Sequence, residues 1–202
     1  MIRDDTLLGA GFADPVFQSQ GAFRAVLAAL AEPGLARDIG VGGVEAPAGL
    51  EPATAVALLT LADYETPIWL PAGLRDGPAG AWLRFHCGAA IVAEPGRAAF
   101  AVLDGTAAAP KLSAFNAGDD AFPDRSTTVF VQCAALDGGQ AVTLAGPGIK
   151  GRRGIAPAGL RAGFWEEVAG NAALYPLGVD LVLIHGARLL GLPRSTQVEE
   201  TR

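Results

Sequence analysis

The sequence feature that most constrains the fold is a change of pattern after residue 80. From there the chain is a series of short apolar segments, several of them rich in β-branched residues, separated by Gly, Pro or Asp. This pattern is typical of β-strands. We expect strands at residues 83–92, 98–103, 127–133, 141–145, 179–184 and 189–192, preceded by a shorter one at 67–70. Gly186-Ala187 would form the tight turn between the last two strands.

The first part of the chain shows helical patterns instead. Asp14-Pro15 can cap and start a helix, and Pro33-Gly34 would end it. Apolar positions three and four residues apart predict one buried face on this helix, formed by Phe23, Val26, Leu27 and Leu30. Residues 53–62 are apolar on nearly all sides, which predicts a buried helix, and residues 160–168 favour a late one. Together these elements predict the α/β class, with a mixed sheet and helices on its faces.

The composition fits one globular domain that spans residues 1–202. The chain is 50% apolar and 18% charged, and a chain of this length can bury a core without disulfides or metals. The net charge of −6 disfavours nucleic-acid binding, which usually needs a dominant basic face. Cys87 and Cys133 lie in apolar segments without a C-x-x-C motif, so we expect free thiols. No segment has the pattern of a signal peptide or a membrane span, which favours the cytoplasm.

A glycine-rich segment, LAGPGIKGRRGI at residues 144–155, raises the main functional question. Its glycines have the G-x-G-x-x-G spacing of dinucleotide-binding loops, and Lys150, Arg152 and Arg153 add three cations. A dinucleotide site also needs a helix directly after the loop and an acidic residue about 20 positions on, and the sequence provides neither. We therefore expect a surface turn, with a flexible anion-binding loop as the alternative.

Three further kinds of site have weak support. Pyridoxal phosphate needs a Schiff-base lysine, and the two lysines, Lys111 and Lys150, lie in Gly/Ala/Pro-rich loops, so we expect no such cofactor. His86 and Cys87 would face opposite sides of the expected strand, which disfavours a zinc site or a Cys–His nucleophile. The acidic loop GDDAFPDRS at residues 118–126 has magnesium ligands, although such a run is more often a solvated turn.

Asp180 stands out because it interrupts an apolar strand, GVDLVLIHG. A buried carboxylate needs a partner, and we expect a structural ion pair with Arg24, Arg84 or Arg194. A role for Asp180 or Arg194 in ligand binding is the alternative. The sequence identifies no catalytic residue and no metal site, which favours a binding or assembly role over a self-contained enzyme.

Several motifs taken together resemble the PhnH family, subunits of the bacterial carbon–phosphorus (C–P) lyase system for phosphonate use. In chain order they are DPVFQSQGAFRAVLAALAEPG, LLTLADYETPIWL, LRFHCGAAIV, LAGPGI, YPLGVDLVLIHG and LLGLPRSTQVE. The resemblance runs from about Phe12 to Glu199. It implies a three-layer α/β/α fold with a mixed sheet, similar to type I pyridoxal-phosphate-dependent transferases but without a pyridoxal phosphate site.

The resemblance also implies a place in a larger assembly. Members of the family are typically homodimers that join PhnG, PhnI and PhnJ in a core complex. With MgATP and an alkylphosphonate as substrates, the complex contributes to forming α-D-ribose 1-methylphosphonate 5-triphosphate. We expect this chain to serve mainly in assembly and not to be catalytic alone. The alternative is direct binding of ATP or phosphonate by Lys150, Arg152 and Arg153. Asp180 and Arg194 are further candidates for such a site.

Overall fold

The computed structural model describes residues 8–105 and 108–200 of the chain. In this part of the chain the helices are α1 (Pro15–Ala31), α2 (Pro52–Leu61), α3 (Ala72–Arg75), α4 (Pro78–Cys87) and α5 (Phe164–Ala172). The strands are β1 (Arg37–Asp38), β2 (Ile68–Trp69), β3 (Ile91–Val92), β4 (Phe100–Leu103), β5 (Thr128–Gln132), β6 (Val142–Ala145), β7 (Arg153–Ile155), β8 (Asp180–His185), β9 (Arg188–Leu192) and β10 (Gln197–Glu200). No helix in the described ranges is both long enough and apolar enough to cross a bilayer.

Most of the strands form one mixed sheet in the order β1-β9-β8-β5-β4-β2-β3. Strands β3, β2, β4, β5 and β8 are parallel to one another. Strands β9 and β1 continue the sheet antiparallel, and β8 and β9 form a hairpin in which His185 pairs with Arg188. The predicted turn at Gly186-Ala187 is therefore confirmed. A second, antiparallel sheet has the order β10-β6-β7.

The two faces of the main sheet enter two separate cores. Phe130 and Val182 pack in a core with helices α1, α2 and α4. Their strand neighbours Val129 and Leu181 point to the other face and pack with α5 and the small sheet. The fold therefore has three layers, and the α/β class with a mixed sheet is confirmed. The small sheet shares the second outer layer with α5, and the likeness to type I transferases stays a prediction.

Helix α1 begins and ends where the sequence predicts, but its predicted buried face is partly wrong. The Asp14 carboxylate accepts a hydrogen bond from the Phe17 amide at 3.3 Å and caps the first turn. Val26 is buried as expected, whereas Phe23 and Leu27 are 50% and 55% exposed. The inner face also contains the small residues Ala22 and Ala29.

The reason for this orientation is a close approach between α1 and β9. A Cβ atom at Gly191 would lie 2.5 Å from the carbonyl oxygen of Ala29. Backbones that come this near need small residues on both elements. The larger side chains of α1 are therefore turned away from the sheet.

The predicted strand at residues 83–92 is also wrong for most of its length. Residues 78–87 form α4, and only Ile91–Val92 form a strand. Pro78 occupies the first turn of α4, and Gly88 ends the helix with a φ of 66°. The buried residues Trp82 and Leu83 lie on its inner face.

Smaller differences concern the ends and edges of the sheets. The late helix runs over Phe164–Ala172 and not over residues 160–168, because Gly163, with a φ of 77°, precedes its first turn. The short edge strands β1, β7 and β10 were not predicted. Edge strands of two to four residues carry too few positions to show an alternating pattern.

Cys133 lies in one core and the partly buried Cys87 packs against the other. Burial raises the pKa of each thiol to about 11. We expect slow alkylation of both thiols by iodoacetamide at pH 8 in the native protein, because the thiolate is the reactive form. Because each thiol has a higher pKa in the folded than in the unfolded chain, it contributes to stability at pH values below about 8.5, the pKa of an unfolded cysteine. That contribution is lost as the pH rises towards 11. Mass spectrometry of native and urea-unfolded samples would measure the difference in alkylation rate. Rapid labelling of the native protein at pH 8 would contradict the expected slow alkylation.

Candidate functional site

The glycine-rich segment forms the loop of a β-hairpin. Residues 146–152 connect β6 to β7, and the two strands pair with Leu144 opposite Arg153. A dinucleotide loop needs a helix at this point, so that free N–H groups point at the phosphates. The structure therefore confirms a turn and does not provide the strand–loop–helix unit of a dinucleotide site.

Gly148 explains why glycine is needed in this hairpin. Its φ is +77°, and a Cβ atom there would lie 2.1 Å from the carbonyl oxygen of Ala31, the last residue of α1. The hairpin loop thus packs directly against the end of α1. Gly151 also has a positive φ of +74°, but nothing lies within 4 Å of the position of its Cβ atom. The glycine spacing therefore reflects backbone packing and turn geometry.

The cations of the loop differ in their contacts. The Arg153 guanidinium donates to the carbonyl oxygen of Pro33 and, at 3.5 Å, to that of Glu32, directly after α1. A cation there interacts favourably with the helix dipole. Arg152 pairs with Glu199 of β10, and both side chains are more than half exposed. Lys150 is exposed and has no polar partner among the residues that the structure describes.

Asp180 forms the predicted ion pair, and its partner is Arg194. The Asp180 carboxylate accepts from the Arg194 amide at 2.9 Å and from its guanidinium Nε and Nη2 at 3.1 and 2.5 Å. Arg194 also donates to the Pro123 carbonyl at 2.6 Å and to the Ser126 hydroxyl. The side chains of the pair are 24% and 14% exposed. Arg194 therefore joins the start of β8 to the loop before β5.

The position of Asp180 in the sheet supports a structural role. Asp180 is the first residue of β8, so it lies at the amino ends of the parallel strands. Ligands of α/β proteins bind outside the opposite, carboxyl ends. The ion pair thus lies away from the edge where this class of fold usually places its site.

The remaining candidates lie apart from one another. His86 lies on α4, with its ring centroid 4.6 Å from that of Trp82, whereas His185 faces the Cys133 carbonyl at 3.2 Å. The Asp119 carboxylate accepts from backbone amides in its own turn. Lys111 is exposed at the start of a short 3-10 turn. Within the described ranges, no three His, Cys, Asp or Glu residues are placed to hold a metal ion.

Sequence reasoning missed a polar network at the carboxyl edge of the sheet. Gln132, the last residue of β5, accepts from the Glu51 amide at 2.7 Å and donates to the Gly49 carbonyl at 2.9 Å. The Glu51 carboxylate accepts from the amide of Gly186 at 3.0 Å. This network ties the start of α2 to the β8–β9 turn. The polar Gln132 at the end of an apolar strand was the available signal.

The protein is of the α/β class. Most of the polar residues considered as site candidates form hydrogen bonds or ion pairs within the protein itself. The model of the family described as bacterial phosphonate metabolism protein (PhnH) matches residues 10–199. The chain belongs to this family.

Two relatives agree with this assignment. The chain is 39% identical over 199 residues to the alpha-D-ribose 1-methylphosphonate 5-triphosphate synthase subunit PhnH of Rhizobium meliloti (strain 1021). That alignment covers 98% of this chain and 99% of the relative. The chain is also 33% identical over 76 residues to the putative C-P lyase subunit protein HtxG of Stutzerimonas stutzeri, covering 38% of this chain and 39% of that protein.

The two loop glycines allow a direct test of the packing argument. We expect Gly148→Ala to lower the free energy of unfolding by roughly 2 to 4 kcal/mol, because it adds a clash to an unfavourable positive φ. Gly151→Ala is the matched control and should cost only about 1 kcal/mol, since only the backbone term applies. Urea unfolding followed by circular dichroism would measure both values. Equal losses for the two variants would show that the contact with α1 contributes nothing.

The Asp180–Arg194 and Arg152–Glu199 ion pairs should differ in how much they contribute to the free energy of unfolding, measured in the same assay. We expect Arg194→Ala to destabilise the fold by about 3 kcal/mol, because it leaves the mostly buried Asp180 carboxylate without its partner. Arg152→Ala should change stability by about 0.5 kcal/mol or less, since its pair with Glu199 is exposed. An Arg194→Ala variant as stable as Arg152→Ala would contradict a structural role for the Asp180–Arg194 pair.

Proposed function

We propose that this chain is a non-autonomous, cytoplasmic subunit of the C–P lyase core complex, with a mainly assembly role. In that role it contributes to the transferase step that forms α-D-ribose 1-methylphosphonate 5-triphosphate from ATP and an alkylphosphonate. Its partners are a second copy of the chain and subunits of the PhnG, PhnI and PhnJ types. The chain acts as one domain. Support for this particular transferase step comes from the name of the Rhizobium meliloti relative.

The observation that carries the assembly role is an exposed apolar face on α1. Val16 and Phe17 are 73% and 74% exposed, and Phe23 and Leu27 are about half exposed. At 100° per residue these positions fall within one third of the helix circumference. Arg24, the only charged residue of α1, is exposed within the same third, so the face is apolar with one cation. Apolar patches of this kind on a folded surface mark interaction sites.

The contacts of the polar candidates also favour assembly over catalysis. Arg153, Asp180 and Arg194 each bind groups of the protein itself, and Arg152 pairs with Glu199. A phosphate-binding role would require these contacts to be exchanged for ligand contacts.

The alternative function is direct ATP or phosphonate binding through the basic hairpin. The exposed Lys150 and the exposed pair of Arg152 with Glu199 favour this alternative, because neither group is held by burial. Calorimetric titration of the isolated chain with MgATP separates the two functions. Weak or undetectable binding is the result expected for an assembly subunit, and a tight, saturable site would favour the alternative.

The assembly role is tested first by co-purification. We expect a tagged chain expressed with PhnG-, PhnI- and PhnJ-type subunits to elute as a stoichiometric complex whose mass is measured by light scattering. Expressed alone, it should elute as a homodimer. A chain that stays alone in the presence of all three subunits would contradict the proposal.

The α1 face gives a sharper test of the same proposal. We expect Phe23→Asp with Leu27→Asp to abolish dimerisation or complex formation while leaving the circular dichroism spectrum unchanged, because both side chains are about half exposed. Leu174→Asp is the matched control, since Leu174 is 52% exposed and follows α5 in the opposite layer. Loss of assembly in both variants, or in neither, would show that α1 is not the docking face.

A further inference from the structure

Adjacent strands β2 and β4 send the chain to opposite faces of the main sheet. After β2 the chain continues into α3 and α4, and Trp82 and Leu83 of α4 pack in the core beneath α1 and α2. After β4 the chain runs to Leu112 and Phe115, which pack in the core on the other face. The two strands are parallel, so both connections leave from the carboxyl edge. In open α/β sheets, ligands bind in the crevice at such a switch point.

A cleft of about 260 Å³ lies at this switch point. Trp69, the last residue of β2, and the nearby Ala72 form one wall. Asp104, which directly follows β4, forms the other wall together with Ala109 and Pro110. The cavity and the topology are independent observations, and both indicate the same place. None of its residues belongs to the candidates that the sequence suggested.

The chemistry of the walls limits what this cleft can bind. The Trp69 indole is held in place, because its Nε1 donates to the Ala93 carbonyl at 3.1 Å and its ring meets Phe115 edge to face at 5.6 Å. It provides a rigid apolar wall. The Asp104 carboxylate can accept hydrogen bonds from hydroxyl or amino groups, and it repels phosphate and phosphonate oxygens.

The size of the cleft narrows the choice further. Pockets that bury a drug-sized ligand usually measure about 300–1,000 Å³. A volume of about 260 Å³ suits one small ring system and is too small for a whole nucleotide. The ligand that fits both size and charge is a neutral ring that carries hydroxyl or amino donors.

We propose that this switch-point cleft binds one ring of the nucleoside end of a nucleotide, its base or its ribose, with the phosphates outside the cleft. The choice of a nucleoside rests on the proposed function, whereas the existence of a ring-binding cleft rests on the topology and the cavity. In the isolated chain the site is weak, with a dissociation constant on the order of 1 mM. It therefore agrees with a subunit that holds part of a substrate only within a complex.

Nuclear magnetic resonance of the indole N–H groups tests this proposal at a single residue. The chain has three tryptophans, and Trp69→Phe assigns the signal of Trp69. Titration with adenosine should shift this signal saturably and leave those of Trp82 and Trp165, which do not line the cleft, in place. Tripolyphosphate alone should not shift it. An unmoved Trp69 signal at several millimolar adenosine would overturn the proposal.

Two variants separate cleft binding from a nonspecific shift. Ala72 is exposed at the rim, and Ala72→Phe should fill the cleft and weaken adenosine binding at least about tenfold. Ala81→Phe, at an exposed position of α4, is the matched control and should bind adenosine as the parent does. An Ala72→Phe variant that folds and binds normally would overturn the proposal.

Asp104→Asn keeps the shape of the side chain and removes its charge. It should weaken adenosine binding about tenfold, because a hydrogen bond to a neutral amide oxygen is weaker than one to a charged carboxylate. Unchanged affinity would reject Asp104 as the acceptor. This variant also decides the question if Ala72→Phe fails to fold.

Normal adenosine binding combined with failed co-purification would reject the assembly role and leave the cleft site standing. Successful co-purification without adenosine binding would reject only the cleft site.

Discussion

The structure depends on central parallel strands that are buried on both faces. Val129 and Phe130 are neighbours in β5, yet each is fully enclosed in a different core. A sheet of this kind has no side that water can cover, so every connection between its strands must pack on one face or the other. The three layers and the crevice between β2 and β4 both follow from this requirement.

Elements with strong local patterns could be predicted from the sequence. The ends of α1, the buried α2 and the β8–β9 hairpin carry their own signals in caps, composition and turn residues. The strand predicted at residues 83–92 failed because the apolar residues of α4 run almost directly into β3. Pro78 at the start of α4 and Gly88 after its end were the helix start and stop signals that separate the two elements.

The candidate site depended more on contacts between distant parts of the chain. The sequence indicated that Asp180 needs an arginine, but the choice of Arg194 depends on where the chain returns after β9. The cation of Arg153 meets the carbonyl of Pro33, 120 positions earlier. The cleft could not be foreseen at all, because β2 and β4 are neighbours in the sheet although β3 lies between them in sequence.

The contact of Gly148 with the end of α1 connects the glycine-rich hairpin to a helix that lies far from it in the sequence. The glycine-rich hairpin supports the same helix whose outer face is exposed and apolar. Any side chain added at Gly148 must displace either the hairpin or the helix. A genetic defect mapped to this loop would therefore act by displacing α1, although it would look like the loss of a phosphate site. Activity alone cannot distinguish the two causes, whereas the oligomeric state of the variant can.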